Sequence, residues 1–170
     1  MYKRQLKDLL ANGVDTVAKL HHSDLPTGQC LVMVSEDAER TMCTNLGINT
    51  TFSPSNINEE IIKVSDSIFI EGYLIASPKG KDSFKKAIEL AKLYDTKVLV
   101  SLSDPFIVNS FKNDLKELLS IKCDLVFCNE AEAREFSERT DEYEIFDYFK
   151  SYTPNSVSYT HLTLPTSPKV

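Results

Sequence analysis

The chain lacks most of the short signatures that mark common enzyme classes. Its 170 residues include only five glycines, and none of them forms a P-loop or a G-x-G-x-x-G fingerprint, so the familiar glycine-rich phosphate cradles are excluded from it. There is no G-x-S-x-G elbow and no H-E-x-x-H helix, which removes the α/β-hydrolase and zinc-protease readings. Cys30, Cys43, Cys123 and Cys128 are spread without the C-x-x-C pairs of zinc sites, and each sits beside apolar residues. Reduced, buried thiols in a cytoplasmic protein are expected. No segment approaches the roughly 18 apolar residues of a membrane span. The opening MYKRQLKDLL has neither the apolar core nor the small-residue cleavage site of an export signal. Basic side chains are outnumbered, 19 against 25 acidic, for a net charge of −6. They are also scattered, so neither nucleic acid nor a membrane surface is an expected partner. An anionic small molecule would need specific local cations.

What is present is ordinary globular composition, with 42% hydrophobic and 26% charged residues, in a length that buries one core. Leu6, Leu9 and Leu10 recur at helical spacing before Asn12-Gly13, which predicts a helix over 3–12 with a left-handed stop. The runs 29–35 and 41–45 flank the charged turn 36–40 and read as a hairpin. Both are thin in large aliphatics, which suits a flap better than a core sheet. Ser53-Pro54 is a helix start, with Ile57, Ile61 and Val64 following at helical spacing. The chain then alternates. Strands are expected at 67–71, 97–102 and 124–128. Between them run helices with the stripes Phe84, Ala87, Ile88, Ala91 and Val108, Phe111, Leu115, Leu118, and a further helix covers 130–137. This is the pattern of an α/β fold with a parallel sheet made by right-handed crossovers. Ligands of such sheets gather beyond the carboxyl ends of strands. That singles out Gly72-Tyr73, Ser103 to Phe106 and Asn129 to Glu132.

The tail reads differently. Residues 151–168 contain no Asp, Glu, Lys or Arg and are crowded with Ser, Thr and Pro. Neither helical nor strand periodicity is evident. The stretch VSYTHLTLPT is similar to the in-frame translation of a sequencing-library adapter, so 156–170 is expected to be a non-native tail.

Several residues could carry chemistry, and each has an ordinary alternative. Asn129 and Glu132 follow a strand and open a helix, where an amide, a carboxylate and helix N–H groups can organise a hydrated magnesium ion and phosphate oxygens. A simple helix cap with a first-turn acid has the same signature. Arg40, at the base of the flap turn, could clamp phosphate with paired donors, or pair with Glu36 or Glu39 on the surface. Tyr73 and Phe106 lie just past strand ends, where rings could pack on a base or sugar, or could belong to the core. His21 and His22 have no partner that would complete a metal pair.

Taken in order, the segments Pro26-Thr27-Gly28-Gln29-Cys30, Asp37 to Met42, Leu46-Gly47, Glu71-Gly72-Tyr73-Leu74, Leu102-Ser103-Asp104-Pro105-Phe106 and Phe127 to Glu132 resemble the ribokinase-like, or PfkB-type, carbohydrate and nucleoside kinases. Within that family they resemble the adenosine-kinase-like branch. The resemblance spans about 13–152. It implies a three-layer α/β sandwich with a parallel central sheet and a small β-hairpin lid at about 26–47, and a partial kinase domain over 1–155, truncated at both ends. It also implies a nucleoside or sugar acceptor, ATP as phosphoryl donor and magnesium as the required ion. By the same resemblance Cys30, Met42, Thr44 and Leu46 would line the acceptor pocket, Tyr73 and Phe106 would lie near the base or sugar, and Arg40 would close on the transferring phosphate. Asn129 and Glu132 would match the Asn-x-x-Glu motif that holds magnesium through water. The family's upstream glycine pair and acidic residue have no counterpart in this chain, nor does its downstream Gly-Ala-Gly-Asp segment with the catalytic base. The chain by itself is therefore expected to be inactive. Three functions follow for the protein from which it comes: an adenosine kinase, a sugar kinase of fructose or ribose type, or an α/β binding module without catalysis.

Overall fold

The computed structural model describes residues 2–15, 24–38, 40–153 and 157–159. It contains two compact units, Met1–Thr50 and Thr51–Val170.

In the first unit, helix α1 (Tyr2–Ala11) stops where expected. Gly13 takes φ +74°, and the N–H groups of Gly13 and Val14 donate to the carbonyls of Leu10 and Leu9 at 3.1 and 3.0 Å. Strands β1 (Gln29–Val34) and β2 (Arg40–Asn45) form the expected antiparallel hairpin, running from the Gln29–Asn45 pair to the Val34–Arg40 pair. Every residue of both strands is exposed, as a thin ribbon without a core of its own must be. At its base Gly47 sits at φ +53°, where a Cβ would lie 2.2 Å from the Pro26 carbonyl oxygen. Only glycine fits that turn.

The second unit holds the core. Pro54–Asn56 forms a single 3-10 turn, and helix α2 (Glu59–Val64) starts afresh. The continuous helix expected from Ser53 is thus divided, because Asn58 caps a new start by accepting from the N–H groups of Glu60 and Ile61. The buried residue is Ile62, and Val64 points to solvent. The rotated face is a consequence of the later start. Asn58→Ala is expected to cost about 1 kcal/mol in urea unfolding, the usual worth of an N-cap.

Strand β3 (Ser67–Glu71), helix α3 (Gly80–Leu93), strand β4 (Lys97–Ser101), helix α4 (Pro105–Ile121), strand β5 (Leu125–Cys128) and helix α5 (Glu130–Ser137) follow in the alternation read from the sequence. β3, β4 and β5 lie side by side and parallel, with Ile70 opposite Val100 and Val100 opposite Val126. Period-two alternation buries Ile70, Val98, Val100, Val126 and Cys128 on one sheet face. These side chains join Phe84, Ala87, Ile88 and Ala91 of α3 and Val108, Leu115 and Leu118 of α4 in one apolar core. Phe111 is only partly buried, because α4 is kinked at its non-helical φ/ψ of −126° and 22°.

Helix α6 (Glu142–Lys150) was not anticipated. Asp141 caps it, and Ile145 and Phe149 bury one face at i, i+4 spacing. The tail also differs from expectation at one point, where strand β6 (Val157–Tyr159) pairs parallel to β5. Without β6 this edge of β5 would leave N–H and C=O groups unpaired, and Val and Tyr readily adopt the extended state that satisfies them. The rest of 154–170 lies outside the described residues. Among the described residues no helix is long and apolar enough to cross a membrane.

Candidate active site at the strand ends

Three loops meet at the carboxyl ends of β3, β4 and β5. The turn after β3 begins at Gly72, where a Cβ would approach the carbonyl oxygens of Ser101 and Leu102 to 2.7 and 2.9 Å. This close approach brings Tyr73 beside the loop that leaves β4. In that loop Ser103 adopts φ +72°. Asp104 then caps α4, its Oδ1 accepting from the Phe106 N–H at 2.7 Å with Pro105 in the first turn. Tyr73 is 50% and Phe106 71% exposed, so neither is an ordinary core aromatic.

The third loop is built on Asn129 and Glu132. Glu132 N–H donates to Asn129 Oδ1 at 2.8 Å, while Asn129 N–H and Nδ2 donate to the two Glu132 carboxylate oxygens at 3.1 and 2.7 Å. This reciprocal capping box fixes both side chains at the start of α5. Glu132 is nonetheless only 5% exposed, which is unusual for a first-turn acid. Burial above all, with Asp104 adding to it, holds its carboxyl above the ordinary range, against the Asn129 N–H that lowers it. Tyr73 is likewise raised, first by burial and then by Asp104, Glu132 and Glu71. The loops thus gather carboxylates of three strand ends around one phenol. Among the described residues no group of three or more His, Cys, Asp or Glu side chains is arranged to hold a metal directly.

In the hairpin unit, cross-strand pairing sets Cys30 opposite Thr44, Val32 opposite Met42 and Val34 opposite Arg40. Cys30, Arg40, Met42 and Thr44 therefore share one face, and Thr44 Oγ1 donates to Cys30 Sγ at 3.3 Å. Leu46 follows the strand and is exposed. The expectation of four buried thiols needs correction. Burial pushes Cys123 and Cys128 up to about 12, but Cys30 and Cys43 are exposed because a two-stranded ribbon has no interior. His21, His22 and Glu39 lie outside the described residues. Ser103, Glu71 and Asp104 were not singled out as individual site residues, although the sequence placed Ser103 to Phe106 at a strand end.

The pfkB family carbohydrate kinase model matches residues 2–159. The chain belongs to this family. Among curated proteins it is 32% identical over 136 residues to adenosine kinase 2 of Arabidopsis thaliana, covering 77% of this chain and 38% of that protein. It is 26% identical over 121 residues to the guanosine-inosine kinase of Escherichia coli K12, covering 69% and 28%. Among solved structures, the adenosine kinase of Sinorhizobium meliloti superposes with a TM-score of 0.82 at 28% identity, over 91% of this chain and 48% of that one. A probable sugar kinase of Rhizobium etli gives 0.81 at 25% identity, over 91% and 47%. The chain thus spans less than half the length of these pfkB relatives. The likeness establishes the ribokinase-like α/β fold and a kinase family for the parallel sheet and the hairpin.

Proposed function

We propose that this chain is part of an ATP-dependent kinase that transfers a phosphoryl group to the hydroxymethyl oxygen of a nucleoside, with adenosine the favoured acceptor. The observation that carries this reading is the strand-end site, where a nearly buried carboxylate, Glu132, shares one end of a parallel sheet with the exposed rings of Tyr73 and Phe106. Flat rings suit a base, and the nucleoside kinases among the relatives support that acceptor class. The likeness to a probable sugar kinase supports the second reading, a sugar acceptor.

In this proposal Tyr73 and Phe106 pack on the acceptor, and Cys30, Met42, Thr44 and Leu46 of the hairpin line its pocket. Arg40 clamps the transferring phosphate. Asn129 and Glu132 hold magnesium through water. The residues fit such an ion, because Glu132 is a buried carboxylate whose protein partners are amide groups of Asn129, so a nearby hydrated cation would offset its burial. Magnesium would neutralise charge on phosphate oxygens. The family's base has no matching residue here, so the 170-residue chain alone is proposed to lack turnover, and a cytoplasmic site of action is part of the same proposal.

The test is coupled ADP release by the longer gene product, with adenosine, guanosine, ribose and fructose offered separately. Adenosine is expected to give the highest kcat/KM. Preference for a free sugar would move the reading to the second acceptor class, and no ADP release with any of them would end it. In the same assay Glu132→Gln should raise the magnesium requirement about 10–100-fold. Stability should behave differently. A carboxyl whose folded pKa is raised contributes stability below its unfolded pKa and loses it as pH rises through the folded value. Glutamine does not titrate, although it gives up one of the two acceptors for Asn129, so the urea midpoint of the variant should fall less than the parent's as pH rises through the folded value.

A further inference from the structure

We propose that Ser103 is a positioning residue for the acceptor, its hydroxyl tying the loop after β3 to the loop after β4 so that Tyr73 is held at the strand ends. This rests on the kinase reading above, in which Tyr73 packs on the acceptor.

Ser103 is a non-glycine residue at φ +72°, a backbone region that L side chains enter at a cost and that is tolerated where the surroundings over-determine it. Here the surroundings do so through hydrogen bonds. The Ser103 N–H donates to Ser101 Oγ at 3.1 Å. Its hydroxyl oxygen accepts the backbone N–H of Tyr73 at 3.3 Å. The Ser103 hydroxyl donates to Glu71 Oε2 at 3.1 Å, and the alternative acceptor, the Ser101 carbonyl oxygen, is farther at 3.4 Å. One hydroxyl therefore bridges the residues on either side of Gly72, which itself lies flat against the carbonyls of Ser101 and Leu102. The left-handed turn at Ser103 also delivers Asp104 to the start of α4, from which its charge reaches Tyr73. The Ser103 hydroxyl thus ties the two loops together where Gly72 packs on the carbonyls of Ser101 and Leu102.

Glycine separates this role from simple stability, because it accepts positive φ without strain yet carries no hydroxyl. In the longer kinase, Ser103→Gly and Ser103→Ala should each raise the acceptor KM about tenfold while kcat and the KM for ATP stay within about twofold, as for loss of uniform acceptor binding through roughly one bridged hydrogen-bond pair. Ser103→Asn, which tolerates the left-handed region and offers both donor and acceptor, should recover part of the loss. An unchanged acceptor KM in Ser103→Gly overturns the proposal, as does an equal loss in ATP KM. If the unaltered protein phosphorylates none of the acceptors, the kinase reading has failed, and the tie itself is read by amide hydrogen exchange at Tyr73 in the chain. Exchange about tenfold faster in Ser103→Gly, with exchange in α3 unaltered, supports the tie; equal exchange at Tyr73 rejects it.

Discussion

Arg40→Ala, introduced into the longer kinase, is expected to lower kcat by about 10²–10³ and to leave acceptor KM within about threefold, the pattern for a donor used chiefly in the transition state. Arg40 opens β2 opposite Val34 and shares a ribbon face with Met42, Thr44 and Cys30. Among the described residues no carboxylate forms a salt bridge with it. A planar, permanently charged fork matches two phosphate oxygens, whereas the compact ammonium of Arg40→Lys offers charge without the paired geometry. The lysine variant should therefore recover only part of the rate. Steady-state kinetics at saturating ATP and magnesium decide the matter. A kcat equal to the parent in Arg40→Ala would remove Arg40 from the phosphate, and a rise confined to acceptor KM would place it on the acceptor instead.

Phe136→Ala is expected to destabilise the chain by about 3–5 kcal/mol, the range for truncating a fully buried aromatic. Phe136 has no exposed surface. Its ring stacks on Phe149 with centroids 5.3 Å apart and meets Tyr152 edge-on at 5.6 Å and Tyr148 at 6.1 Å. The Lys116 ammonium from α4 lies 5.8 Å from its centroid. One side chain thus joins α4, α5 and α6, and alanine would leave a cavity that three helices must collapse around. Urea unfolding should show a lower midpoint at unchanged slope. A loss under about 1 kcal/mol would mean that α6 does not pack as described. Because α5 begins at the Asn129–Glu132 capping box, loosening its far end should also blunt the site, and Phe136→Leu should separate the two effects by filling most of the volume.

The parallel sheet was legible because its evidence is local and repeated. The runs Ser67–Glu71, Lys97–Ser101 and Leu125–Cys128 are strand-length, rich in β-branched residues and separated by helices with clear apolar stripes, and right-handed crossovers leave such a pattern little choice of topology. The hairpin was legible for a similar reason, its charged turn separating two short extended runs. Helix α6 was harder to see, since Ile145 and Phe149 are its only buried side chains and the segment is otherwise charged and aromatic. The division between Pro54–Asn56 and α2 turned on which of two good caps, Ser53 or Asn58, starts the longer helix, and both are plausible in isolation.

The site divides along the same line. Sequence alone determined the family, the hairpin, the alternation from Ser67 to Ser137 and the segments at the strand ends, because period, capping residues and motif order are written along the chain. It also placed Asn129 and Glu132 at a helix start. Only the tertiary structure decided that Glu132 is buried, that Cys30 and Cys43 are exposed, and that Ser103 hydrogen-bonds both Glu71 and Tyr73, about 30 residues earlier in the chain. Burial and hydrogen bonding between distant segments depend on how the sheet brings its strand ends together, and no spacing along a single strand or helix encodes that distance.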